Sequence, residues 1–386
     1  AGSFGNGAIA PLQGEVAREF GISYTAIGVL TASFAIARVI IDLPGGDLAD
    51  RVRPRLMFTV GAVVVVLGVL LTALAPVYPL VVAGRILNGL GSTFGGAAAM
   101  AYVARRAGPH ERGKLIGTSA AAMQMGAFLA PVAVGAVASV FGWRAGFASI
   151  IIPAVLALGL TVVAVRDPLP PSPAPAANDA QRPPKRRSPR AWFYAPWPLA
   201  GINLMTMAIS ISIFGYKSTL MPLYGSEQLR LDPVTIGLAI TASTVMRFPV
   251  SMLAGVVSDR YGRLAVYLPS AVLMGGVALL LNVAGNVGVY ALVSLAFALG
   301  GATSPLVSTM VADCAPQQRL GAAMGTNAFL RDLAIAGMPL ILGAIIDAAG
   351  FGPASAVLAA ASLVSVALAL RVGETSPRSV ARPASG

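Results

Sequence analysis

Runs of about 20 apolar residues recur along nearly the whole chain, separated by short segments that carry Gly, Pro and charge. A helix rises about 1.5 Å per residue, so each run matches the ~30 Å hydrocarbon layer of a bilayer. Eleven complete spans are predicted, near 23–45, 56–75, 79–103, 114–140, 144–165, 198–223, 234–257, 265–284, 287–311, 321–347 and 353–371. Residues 1–11, AGSFGNGAIAP, are too few to span but suit the outer end of a first helix, which is therefore expected to be truncated at Ala1. No basic front with a small-residue cleavage site precedes the first span.

Composition agrees with the pattern. Hydrophobic residues make up 56% of the chain and charged residues 11%, against about 25% charged in a soluble domain. The mean hydropathy is +0.78. One Cys and one His leave no disulfide framework and no cysteine–histidine metal site. Cys314 is expected to be a packing residue near the cytoplasmic surface, and the abundance of Ala, Gly and Val points to a bacterial source.

The net charge of +12 is informative through its placement. With the first stub ending outside, nineteen Lys and Arg fall in the inner loops and tail, three in the outer loops and five inside spans. That asymmetry puts the basic loops and the C-terminus in the cytoplasm. Residues 167–197 form one long Pro-rich, basic stretch containing KRRSPR. It reads as an extended cytoplasmic linker near anionic headgroups rather than a nucleic-acid patch.

The two sides of that linker repeat one another at an offset near 209. Ile27-Gly28 aligns with Ile236-Gly237, Arg38 with Arg247, and Gly46…Asp50-Arg51 with Gly255…Asp259-Arg260. Pro109…Arg112 aligns with Pro316…Arg319, and Gly142 with Gly352. Six helices followed by six related helices in the same orientation imply parallel halves around an axis along the membrane normal, enclosing a central cavity. The expected organisation is an N-terminal bundle over 1–166, the linker over 167–197, a C-terminal bundle over 198–372 and a tail over 373–386.

The loop after the second span reads GGDLADRVRPR, and its counterpart in the second half reads GVVSDRYGR. The fourth span carries GRILNGLGSTFGG, and the fifth carries Gly117, Gly126, Pro131 and Gly135. In these motifs the chain resembles the major facilitator superfamily over essentially its whole length, closest to its drug and metabolite:proton antiporters. The resemblance implies an all-α membrane fold of two pseudo-symmetric six-helix bundles. It makes Asp50, Arg51, Asp259 and Arg260 gating residues. A carboxylate at Asp50, or at Asp259 in reverse, would sit against the positive N-terminal end of a helix in the other half. The first copy has Arg53-Pro54 where the family has Gly-Arg, so its turn is expected to differ. In the fifth span Ala130 and Val134 depart from the antiporter pattern, and the same small residues would serve helix packing.

The five charges inside spans, together with Asp42 and Asp332, are the candidate substrate and coupling residues. Arg85 is expected to face the cavity or a partner, since an unpaired Arg in the membrane costs a few kcal/mol or more. Arg38 and Asp42 share one helix face. Arg38 and Arg247 each precede their loop Asp by twelve residues, about 18 Å from the inner surface, and are expected on opposite walls of one cavity. Lys217 lies in the outer half of the seventh span. Arg331 and Asp332 are adjacent near mid-membrane, where side chains about 100° apart need not pair. Asp42 or Asp332 is expected to carry a proton, and Arg247 to contact an anionic group of the substrate.

No phosphate-binding loop is present, and GLGSTFGG falls mid-helix. Buried arginines stay protonated and make poor acid–base catalysts, so an enzyme is not expected. The expected activity is secondary active transport, proton-coupled export of small organic molecules by alternating access in a bacterial inner membrane. The cavity would be lined by helices one, two, four, five, seven, eight, ten and eleven. Substrate, protons and lipid are the expected partners, with no nucleic acid, cofactor or metal, and the chain is expected to be a monomer. Alternatives are an organic-anion symporter or exchanger using the cavity arginines and, from another class, a channel or membrane receptor.

Overall fold

The computed structural model describes residues 5, 7–106, 112–165, 197–301, 304–316 and 319–375. Side chains at 41–51, 54, 97, 100–101, 103–106, 112–124, 164, 304 and 321–322 fall outside that description. The basic run of the linker, Pro109 and the tail beyond 375 therefore lie outside the described residues. So do the side chains of Asp42, Asp50 and Arg51, and the surroundings of Gly117.

Every regular element among the described residues is helical. We number them by span: α1 (Gln13–Phe20, entered by a 3-10 turn at Ala10–Leu12), α2 (Tyr24–Arg51), α3 (Pro54–Ala73), α4 (Tyr78–Arg106), α5 (Arg112–Ala148) and α6 (Ile151–Ala164). The second half comprises α7 (Leu199–Glu227), α8 (Pro233–Tyr261), α9 (Arg263–Leu280), α10 (Val287–Gly300 and Ser304–Cys314), α11 (Leu320–Ala349) and α12 (Phe351–Val372). Eight described helices are long and apolar enough to cross a membrane, and one of these, Met125–Val163, combines two spans.

The helix ends follow local chemistry. Asp232 caps α8, accepting from the Thr235 backbone N–H at 3.2 Å and from its hydroxyl at 2.6 Å. Burial opposes ionisation of this loop carboxylate, but the Thr235 hydrogen bonds outweigh it and hold the group below the usual carboxylate range. Asn286 caps α10 in the same way at 3.0 Å. Gly21, at φ 59°, stops α1 in the left-handed conformation.

The first helix therefore continues to Phe20, whereas the sequence placed residues 12–22 in an outer loop. Gln13, Glu15, Arg18 and Glu19 end the apolar run without ending the helix. The chain also turns at a kink inside α5 at Gly142 (φ 81°, ψ 164°), and between α11 and α12 at Gly350 (φ 84°, ψ −173°). Backbone shape therefore pairs Gly142 with Gly350 rather than with Gly352. The two basic-end turns differ as expected. Gly262 adopts φ 103°, while Arg53 is extended at φ −62° ahead of Pro54.

Packing repeats between the halves. α3 lies on α4 and α6, and α2 on α4, just as α9 lies on α10 and α12, and α8 on α10. The halves meet through α2 against α11 and α5 against α8, two crossings related by the repeat. Small residues let the helices approach within each half. At Gly61 and Gly68 of α3 an added Cβ would fall 2.9 and 2.7 Å from the α4 carbonyl oxygens of Gly91 and Gly84.

Candidate functional site

A cavity of about 330 Å³ lies where the halves meet. The first half supplies Ile9 near the start of the chain, Thr31, Phe34 and Arg38 from α2, Arg85 from α4 and Pro131 from α5. The second half supplies Phe214, Lys217 and Ser218 from α7, Ile240 from α8, and Arg331, Asp332, Ile335 and Pro339 from α11. Among the described residues, seven of the eight helices expected to line it contribute, and none of the lining residues comes from α10.

Each charged side chain reaches the wall by a different route. Arg85 is 1% exposed, and its Nη1 donates to the Gly5 carbonyl at 2.9 Å. Its guanidinium lies 4.7 Å from the Phe34 ring centre and 5.8 Å from that of Phe147, a cation–π sandwich inside the first half. Lys217 sits in a π-helical turn, Tyr216–Leu220, the only such turn among the described residues. A π turn inserts one residue into the helix and re-aims the side chains around it. Arg331 Nε pairs with Asp332 Oδ1 at 3.1 Å, so the adjacent residues meet although their helical directions did not require it. Arg38 has no hydrogen-bond or ion-pair partner among the described residues.

Arg247 lies against Gly301 of α10, where an added Cβ would fall 3.6 Å from Nε, and it is not among the described residues that line this cavity. The second half presents Lys217 and Arg331 to the cavity.

Above the cavity the halves are sealed by a repeated contact. A Cβ at Gly28 of α2 would overlap the Pro339 carbonyl of α11, and one at Gly237 of α8 would overlap the Pro131 carbonyl of α5. One turn further on, Gly343 abuts the Tyr24 carbonyl and Gly135 abuts the Pro233 carbonyl. Pro131 and Gly135 recur as Pro339 and Gly343, 208 positions later, so the repeat builds both crossings. Gly126 lies on the same helix before this seam, half-buried.

Polar bonds reinforce the seam, and sequence reasoning missed them. Gln13 is fully buried; its Nε2 donates to Thr31 Oγ1 at 3.1 Å and to the Ser218 carbonyl at 2.7 Å, joining α1, α2 and α7 over the cavity. Thr241 donates to the Phe128 carbonyl at 2.8 Å. Asp347, at the end of α11, accepts from the Tyr24 and Thr25 backbone N–H groups at 2.8 and 2.7 Å and from the Thr25 hydroxyl at 2.5 Å. A carboxylate of one half thus caps the N-terminus of α2 in the other. The carboxylate is exposed, so we assign this cap about 1 kcal/mol. Asp347→Ala is expected to raise labelling of a Thr31→Cys cavity probe from the seam side about fivefold. An unchanged rate would show that Asp347 does not hold the seam.

At the opposite, basic end the described carboxylate of the repeated loop binds within its own half. Asp259 pairs at 2.5 Å with Arg263 of its own half, one helical turn on. Arg263 also binds Asp313 at 3.1 Å and Ser258 at 2.9 Å, and Glu374 accepts from the Arg263 and Leu264 backbone N–H groups. The tight turn at Gly262 brings Arg263 back onto Asp259, so the carboxylate is already satisfied locally. Arg260 is exposed and lies 5.5 Å from the Tyr261 ring.

Two duplicated halves, a central cavity and a seam built by the repeat are an architecture that comparison with known proteins can decide. The family model for the major facilitator superfamily matches residues 1–232 and 204–386. The chain belongs to the Major Facilitator Superfamily. It is similar to the quinolone resistance protein NorA of Staphylococcus aureus, 22% identical over 241 residues, 62% of this chain and 60% of that protein. It is also similar to a multidrug resistance protein B homolog of Mycobacterium tuberculosis, 25% identical over 229 residues, 59% of this chain and 38% of the relative. The matches thus span under two thirds of either relative's length. Among solved structures, a bacterial homolog of the lysosomal transporter Spinster aligns with TM-score 0.72 at 13% identity, covering 96% of this chain and 92% of that one. A D-xylose–proton symporter aligns with TM-score 0.71 at 19% identity, covering 97% and 96%. The eight long apolar helices among the described residues, together with the family, make this chain a multi-pass membrane protein.

Proposed function

We propose that the chain is a secondary carrier that exports small organic molecules against an inward flow of protons by alternating access. The central cavity between the halves, sealed above by the glycine–carbonyl seam, carries this reading. The positive-inside distribution sets the basic end in the cytoplasm. The seam then closes the outer side, and the locally satisfied Asp259 belongs to a state in which the inner ends have parted. The similarity to drug-resistance proteins supports export, and a quinolone is a reasonable first probe. In everted vesicles carrying the protein, norfloxacin is expected to accumulate when the lumen is acid and to leave when the pH gradient is collapsed. Accumulation indifferent to the gradient would overturn proton coupling, and none above control vesicles would overturn export of this class.

The coupling site follows from the same reading. Asp332 is the one carboxylate among the described cavity residues, and it pairs with Arg331 at 3.1 Å. Asp42, one turn beyond Arg38 on α2, is the other candidate. Asp332→Asn is expected to abolish gradient-driven accumulation while leaving downhill exchange within about twofold of the original. Full accumulation by this variant would move coupling to Asp42 or to a carboxylate outside the cavity.

A further inference from the structure

We infer that the cavity selects an amphipathic organic anion, whose charged group is held by Arg38 of the first half and Lys217 of the second. This rests on the carrier reading above and narrows its substrate class.

Arg38, Arg85, Lys217 and Arg331 line one small cavity, and Asp332 is the single acid among the described lining residues. Asp332 is bound to Arg331. Arg85 has a carbonyl and two aromatic rings beside it, none of which cancels its charge. Arg38 and Lys217 have neither acid nor hydrogen-bond acceptor among the described residues. Like charges in a low-dielectric enclosure repel far more strongly than in water. A cavity so lined has an anion as its natural occupant, and it repels an organic cation.

The rest of the wall fixes the body of the ligand. Phe34, Phe214, Ile240 and Ile335 offer aromatic and aliphatic surface, while Thr31 and Ser218 are the small polar groups beside the charges. A compact ring system bearing a carboxylate or sulfonate satisfies both parts. A fully hydrated inorganic anion would leave the apolar part unused.

Position gives the charges a further role. Arg38 belongs to α2 and Lys217 to α7, so an anion between them neutralises both halves at once. Without it, both halves bring cations to the one cavity. Exchange of one bound anion for another should therefore outrun return of the empty carrier.

The test uses three probes on one ring: 2-naphthoate, its neutral amide 2-naphthamide, and 2-naphthylmethylammonium. Binding to the purified full chain in lipid nanodiscs is measured by calorimetry. The expected order is naphthoate first, the amide roughly tenfold weaker, and the cation weaker still. Arg38→Gln and Lys217→Gln should each weaken naphthoate roughly tenfold and leave the amide unchanged. Arg38→Lys, which keeps the charge, should recover most of the loss and shows that the fold survives substitution there. Equal or absent binding of the three probes overturns the anion assignment, as does preference for the cation. If Asp42 neutralises Arg38, Arg38→Gln leaves naphthoate affinity unchanged, and that also overturns it. Naphthoate binding without flux in proteoliposomes would contradict the carrier reading and leave the anion site standing. Flux of a cation without naphthoate binding would do the reverse.

Discussion

Replacing Gly28 or Gly237 by valine is expected to lower transport by about two orders of magnitude while leaving each half folded. The added Cβ would overlap a carbonyl oxygen of the opposing half, Pro339 at one crossing and Pro131 at the other. Backbone on both sides of the contact cannot yield as the end of a long side chain does, so the halves must part. A separation costing about 3 kcal/mol is a shift of roughly 100-fold between sealed and open states. The two substitutions should have the same sign and similar size, because the repeat builds both crossings. Proteoliposome flux measures the loss, and labelling of Thr31→Cys from the seam side should rise with it. A valine variant with normal flux would show that the seam closes by a contact other than this one. The same substitution at Gly276 of α9, where nothing lies within 4 Å of an added Cβ, should be silent.

The second large effect concerns Arg85. Its side chain is 1% exposed and fills a space bounded by Phe34, Phe147 and the Gly5 carbonyl. Arg85→Ala leaves a void and a carbonyl without its donor, with an expected cost of about 2–4 kcal/mol. The measurement is the unfolding midpoint in detergent. Arg85→Met keeps most of the volume and removes a buried charge whose Nε lacks a partner, so it should retain most of the stability. Arg85→Lys should behave more like the alanine variant, since an ammonium cannot lay a planar group on Phe34 while reaching Gly5. Equal midpoints for the original and the alanine variant would contradict this account of the site.

The sequence made much of this legible because a membrane imposes a length on each apolar run. The spans follow from that constraint, and the repeat follows from matched turns and charges. The candidate charges inside the spans were also visible, since an ionisable residue in hydrocarbon stands out against Leu and Val. Less visible were groups whose partner is backbone. Asp347 reads as an ordinary helix-end acid, yet it caps two N–H groups of the other half. Gln13 is neutral and lies where the apolar run fades, so nothing in the pattern marks it as a bridge between α2 and α7. Asn327 joins Asn203 at 3.0 Å and Thr206 at 2.6 Å in a buried contact between α11 and α7, and it too carries no charge to betray it.

Arg247 aligns with Arg38, but a matched position does not fix the direction of a long side chain, and Arg247 lies beside Gly301 of α10. The π turn at Lys217 has no sequence signature, and it brings to the cavity a cation that the repeat alone would not have favoured. The Pro131–Gly135 motif resembled an antiporter signature. Its recurrence as Pro339–Gly343 was present in the sequence, and it gains physical meaning once each glycine is seen against an opposing carbonyl.

The central claim is that the seam end and the basic end open in alternation around one cavity. Pulsed electron resonance between spin labels tests it directly, with Cys314 replaced by Ala. One label pair, Val77→Cys with Val287→Cys, spans the halves at the seam end, where both residues are exposed. The other, Arg53→Cys with Tyr261→Cys, spans them at the basic end, where both are also exposed. When pH and substrate are varied, the first distance should lengthen as the second shortens, and the reverse. Two distances that stay fixed under every condition, or that lengthen together, would contradict alternating access in this protein.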